Sequence, residues 1–208
     1  MPDDAVLAEG RRLLERGGVA ICVRDGETRT LLEPIADNDF ALALFGAGHV
    51  GSALVNLLAS LDCRVRWIDG RRDIFPDTVA GNVTCVESAD PAREALAMPP
   101  GAFYLVMTHS HALDYEICER ILARDDFAWC GLIGSRSKRR RFEKRLRAAG
   151  MSDARIERLT CPIGIPGLDG KKPAVIAVAV AAQLLQIGKS HSVQARGAAA
   201  DNVHILRR

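Results

Sequence analysis

Residues 40–69, FALALFGAGHVGSALVNLLASLDCRVRWID, decide the fold. The run Phe40–Phe45 is apolar without alternation, which marks a strand covered on both faces. Three glycines follow, Gly46, Gly48 and Gly51. Val50, Leu54, Leu57, Leu58 and Leu61 then recur at the three-to-four spacing of a helix. A second strand, Cys63–Asp69, closes the unit on a carboxylate. Strand, glycine turn, helix, strand and terminal acid is the order of a nucleotide-binding βαβ unit. Gly46 allows the tight turn, Gly48 lets backbone approach a phosphate, and Gly51 lets the helix pack near the sheet. Asp69 stands where a ribose hydroxyl would be held, and the helix that opens at His49 offers unpaired N–H groups to an anion. The alternative is that the glycines serve only a turn. Arg71 and Arg72, just beyond Asp69, either receive a 2′-phosphate or stay solvated.

The same alternation continues outward. NVTCVE (82–87), AFYLVMT (102–108) and FAWCGLIG (127–134) read as further strands. A helix is expected from His111 to Arg124, and a long basic one after residue 134. Apolar strands alternating with helices give an α/β fold, a Rossmann-like doubly wound parallel sheet in the order 3-2-1-4-5, over residues 39–187. Residues 1–38 read as a short N-terminal extension: a helix at 5–15, then GVAICVR and TRTLLEP around an Asp25-Gly26 turn. Residues 188–208 are polar and are expected to form a flexible tail.

Composition narrows the function classes. The 208 residues are 48% hydrophobic, enough for a sizeable core, and carry a formal charge of +2. So small a charge creates no global field for nucleic acid or membrane, and neither is expected as a partner. The longest apolar run, PAVIAVAVAAQLLQI, is shorter than the roughly 20 residues a bilayer requires and reads as a buried helix. The N-terminus is acidic and lacks an apolar signal core. The six cysteines form no CxxC pair, so reduced thiols and a cytoplasmic location are expected. Cys161 alone lies outside any core run. It is either a reactive thiol or a buried inert one.

Candidate binding residues gather where a doubly wound sheet places its ligands, beyond the carboxyl ends of the strands at the switch point. THSHALD (108–114) sits at the end of the fourth strand. Its Thr108, His109, Ser110 and His111 could face one crevice with His49 and the glycine loop. The spacing resembles the metallo-β-lactamase HxHxDH pattern but departs from it: Asp114 lies three residues after His111, and Tyr115 stands where a histidine is needed. Metal ligation, polar contact with a bound ligand and helix capping by Ser110 all stay open. A second anion site is expected where Gly134 and Ser135 open the basic helix, with Arg136 and Lys138 beside it. The basic residues beyond are either a solvated face or a surface for an anionic partner.

Taken together, FGAGHVG, WIDGRRDIFP, VMTHSHALD, GLIGSRSKRRRF and TCPIGIPGLDGKKPAVIAVAVAAQLLQ closely resemble the xanthine dehydrogenase accessory protein family, XdhC, a relative of CoxI. The resemblance covers about residues 38–187. It implies a chaperone of purine catabolism, which need not catalyse a reaction itself. Such a protein binds the molybdenum cofactor (molybdopterin), supports its sulfuration with a cysteine desulfurase, and delivers it to apo-xanthine dehydrogenase. A homo-oligomer is also expected. The family carries a longer N-terminal domain with a GSSPR-like stretch. Residues 1–38 hold no such stretch, so they are expected to be the remnant of that domain in a short subtype or a truncated form. The reading from the glycine loop alone is different: an NAD(P)-dependent oxidoreductase. It lacks a substrate domain and a recognisable catalytic pair.

Overall fold

A computed structural model describes residues 40–168 and 170–196, the strands β1 (Ile21–Asp25) and β2 (Thr28–Leu32), and four positions between 6 and 12. Asp39–Ile187 form one compact unit, and Met1–Asn38 with Gly188–Arg208 form another. In the second unit β1 and β2 pair antiparallel, Asp25 opposite Thr28 and Ile21 opposite Leu32, as the Asp-Gly turn signal suggests. The helix expected at 5–15 lies almost wholly outside the described residues.

The larger unit is built on a six-stranded sheet. Its strands are β3 (Phe40–Phe45), β4 (Cys63–Asp69), β5 (Val83–Glu87), β6 (Phe103–Val106), β7 (Trp129–Leu132) and β8 (Leu159–Thr160). Their order is β5-β4-β3-β6-β7-β8, and every pairing is parallel. This is the doubly wound Rossmann-type arrangement, extended by one strand beyond the five that the sequence pattern marks. β8 has only two paired residues, too few for any periodicity to register. It holds the edge through Trp129, whose indole donates to Thr160 Oγ1 at 3.0 Å.

The helices are α1 (His49–Leu58), α2 (Pro91–Glu94), α3 (His111–Arg124), α4 (Arg136–Ala148), α5 (Asp153–Glu157) and α6 (Pro173–Arg196). α1 and α6 cover one face, burying Leu54, Leu58, Ala177, Val180 and Leu184 against Leu42, Leu44, Trp67 and Leu105. α2 to α5 cover the other, where Ile117, Ile121, Phe142, Leu146 and Ile156 pack on Phe45, Tyr104 and Val106. Each large apolar side chain so buried contributes about 1.5–3 kcal/mol, and the strands read as continuous apolar runs because both faces are covered. The tail expected from residue 188 is in part helix. α6 continues to Arg196 because, after Gly188, the segment holds no further helix breaker. Residues 197–208 lie outside the described residues.

Candidate functional site

At the carboxyl edge of the sheet, ladder-like hydrogen bonds continue past the strand ends and fix the loops. Gly46 N–H donates to Ile68 O at 2.8 Å, Met107 N–H to Phe45 O at 2.9 Å, and Ile133 N–H to Val106 O at 2.8 Å. Gly46 has φ +116, and a Cβ there would lie 2.4 Å from the Met107 carbonyl oxygen. Gly51 presses on the same turn, since its Cβ would lie 2.2 Å from Gly46 O. That oxygen also accepts the Trp67 indole N–H at 3.1 Å. Gly48 meets nothing within 4 Å, and it is exposed beside exposed His49 at the start of α1. The turn, the close packing and the open backbone thus fall to Gly46, Gly51 and Gly48 respectively.

Asp69 is buried, with both carboxylate oxygens engaged by the protein itself. Oδ2 accepts from Ala47 N–H at 2.7 Å and from Arg71 Nη2 at 2.8 Å, and Oδ1 accepts from Arg71 N and Nε, each at 3.0 Å. Burial raises its pKa, but the Arg71 guanidinium and the two backbone N–H donors outweigh this and hold it at about 2. The carboxylate therefore ties the glycine loop to the end of β4. A ribose hydroxyl would have to displace Arg71 to reach it.

Of the second set of predicted residues, all but Ser110 and Arg136 line one pocket of about 430 Å³. Thr108, His109 and His111 from the β6–α3 connection face Gly134, Ser135 and Lys138 from the β7–α4 connection. Ile133, Ser137 and Arg141 complete the wall. The sequence reading missed these three, although Arg141 lies one helical turn past Ser137 and could have been placed on the same face. Arg141 Nη2 lies 3.2 Å from His111 Nδ1. Ser110 caps α3, accepting from Leu113 N–H at 3.3 Å, and Ser135 caps α4, accepting from Lys138 N–H at 3.2 Å. Arg136 is exposed at the α4 start and outside the pocket lining. The glycine-loop residues Gly46, Gly48, His49 and Gly51 are also outside it. They belong to the adjoining edge, which meets the pocket at Met107 and Thr108.

Lys138 lines the pocket but does not offer it a free ammonium. Nζ donates to Asp114 Oδ2 at 2.5 Å and to Ile133 O at 2.8 Å. Asp114, the carboxylate of the HSHALD run, is fully buried and accepts at Oδ1 from Thr108 N–H at 2.9 Å and Thr108 Oγ1 at 2.7 Å. It is committed to these partners, and among the described residues no three His, Cys, Asp or Glu side chains gather as a metal site would need. Cys161 is buried, and its thiol donates to Ser135 O at 3.8 Å. Burial pushes that thiol upward, against partial relief from the nearby Lys138 and Arg139 charges, which suits an inert side chain.

The pocket can therefore offer imidazole edges, hydroxyls, the N-terminus of α4 and the Arg141 cation, a donor set suited to an anion with a hydrogen-bonding ring attached. Among the described residues, no helix is long and apolar enough to cross a membrane.

Comparison with known proteins agrees with the geometry. The XdhC Rossmann domain family matches residues 42–184. The uncharacterized protein YqeB of Escherichia coli (strain K12) is 33% identical over 149 residues, 70% of this chain and 27% of that protein. A crystal structure of a Bacillus halodurans protein described as a xanthine dehydrogenase shares the fold with a TM-score of 0.61 at 23% identity, over 81% of this chain and 48% of that one. The chain thus spans about a quarter of YqeB and about half of the Bacillus halodurans protein. A glycine loop on a six-stranded parallel sheet, and a family match over most of the chain, lead to one conclusion: this chain belongs to the XdhC Rossmann-domain family.

Proposed function

We propose that the chain is an accessory protein for xanthine dehydrogenase, which holds molybdenum cofactor as cargo in the pocket between the β6–α3 and β7–α4 connections and passes it to the apoenzyme after sulfuration with a cysteine desulfurase. One observation carries the reading: the predicted residues Thr108, His109, His111, Gly134 and Ser135 line a single pocket at the carboxyl edge of the sheet, with Arg141 at its wall. The donor set fits the cargo. The terminal phosphate of molybdopterin is an anion, for which the α4 N-terminus and Arg141 are suited. The pterin ring has donor and acceptor edges that Thr108, His109 and His111 can meet. Moderate polar contacts suit a protein that must release what it holds, since a tight cage would oppose transfer.

The engagement of Asp69 favours this reading over NAD(P)-dependent oxidation. With Arg71 on one side and Ala47 N–H on the other, the carboxylate is not open to a ribose. The test is reconstitution of molybdenum-free apo-xanthine dehydrogenase with free cofactor, with and without the chain. The expected result is faster recovery of xanthine oxidation with the wild-type chain, and a loss of at least tenfold in that stimulation for His109→Ala/His111→Ala with its thermal midpoint unchanged. Equal recovery with and without the chain would refute the accessory role.

A further inference from the structure

The buried contact beneath the pocket does more than fill space. Among the described residues, Lys138 and Asp114 form the one ion pair buried at both ends, with side-chain exposures of 7% and 0%. A buried ion pair contributes little net stability, because desolvation roughly cancels the attraction, and an apolar pair of similar volume does as well or better. Its best-attested use is to fix one arrangement among several. This pair lies where two loops must be held in register.

We propose that Asp114 is the positioning residue of the pocket, its single carboxylate pinning both walls. Through Oδ1 it holds Thr108 N–H and Oγ1. With its one proton given to that carboxylate, Thr108 Oγ1 in turn accepts from Ser110 N–H at 3.2 Å. This fixes the connection that carries His109 and His111. Through Oδ2 it holds Lys138 Nζ, which reaches on to the Ile133 carbonyl at the base of the opposite wall. Gly134 belongs to the same device: a Cβ there would lie 2.5 Å from Lys138 Cδ, so glycine leaves the channel through which the lysine stem passes. The aromatic contact between α3 and α4 lies alongside, with Tyr115 and Phe142 rings 5.5 Å apart. That contact joins the helices, whereas the carboxylate sets the loops at their ends.

This inference rests on the pocket being a ligand site, and its test separates the two claims. The variants are Asp114→Leu/Lys138→Met, which replaces the pair by apolar side chains, and Asp114→Asn, which keeps the acceptor for Thr108 but removes the ion pair. Three quantities are measured on the full chain: thermal midpoint, amide hydrogen exchange of residues 108–110 and 133–135, and affinity for inorganic phosphate. For the double variant the expected result is a midpoint within a few degrees of wild type, at least tenfold faster exchange in both loops, and at least tenfold weaker phosphate binding. For Asp114→Asn, exchange should rise at 133–135 and stay near wild type at 108–110. Wild-type exchange in both loops of the folded double variant would overturn the proposal. If the double variant does not fold, a uniform rise throughout Asp114→Asn, or no rise at 133–135, would overturn it instead. A wild-type chain that binds no phosphate would count against the ligand site alone, and the exchange pattern would still decide the role of Asp114.

Discussion

Single residues carry the first tests. Because the folded pKa of Asp69 lies near 2, below its unfolded value near 4, its contribution to stability is complete above about pH 4 and is lost as pH falls toward 2. Asp69→Asn should lower stability by about 1–2 kcal/mol at neutral pH and flatten the acid limb of the stability curve, as measured by urea unfolding between pH 2 and 7. The glycines separate as cleanly. Gly51→Ala places a methyl group against Gly46 O and should destabilise by about 2–3 kcal/mol. Gly48→Ala meets open space at an ordinary φ of −82° and should stay within about 0.5 kcal/mol of wild type by the same urea unfolding. The roles of these glycines were legible in the sequence because their spacing alone dictates them. The occupation of Asp69 was not: Arg71 stands two residues on, and a linear pattern does not tell a solvated arginine from one folded back onto its neighbour.

At the scale of elements, α1, α3 and α4 were legible from apolar spacing and caps, and the observed α3 has the expected bounds, His111–Arg124. α4 was read as a long basic helix, and its Phe142 and Leu146 are buried. Lys138 was read beside the α4 start as part of an anion site, yet it precedes Phe142 by four residues and so shares the inward stripe. Asp114 likewise precedes Ile117 and Cys118 by three and four residues on the buried face of α3. Two opposite charges on facing apolar stripes call for each other, and that signal could have located the pair. Ser135→Ala removes the α4 cap and should cost about 1 kcal/mol, read as a lowered thermal midpoint. Its effect on phosphate affinity should be larger, because the hydroxyl also lines the pocket. β8 was not legible, since two residues form no pattern and their pairing is dictated by β7.

For the whole molecule, the order of five strands followed from alternation and handedness, and with it the edge on which a ligand would sit. What alternation does not reveal is the division of that edge. Beside the glycine loop Asp69 is engaged by Ala47 N–H and Arg71, while the adjoining pocket is bounded by two loops and a helix start. The fold is of the Rossmann type, while the ligand is a matter of the site rather than of the fold. We propose that the pocket holds molybdenum cofactor, with the glycine loop holding no dinucleotide. The most direct measurement is equilibrium binding of the purified chain to molybdenum cofactor, read by pterin fluorescence after oxidation, with NAD and NADP titrated in parallel. The expected result is saturable retention of the pterin, weakened at least tenfold by His109→Ala/His111→Ala, with no saturable binding of either dinucleotide. Saturable dinucleotide binding without pterin retention would contradict it.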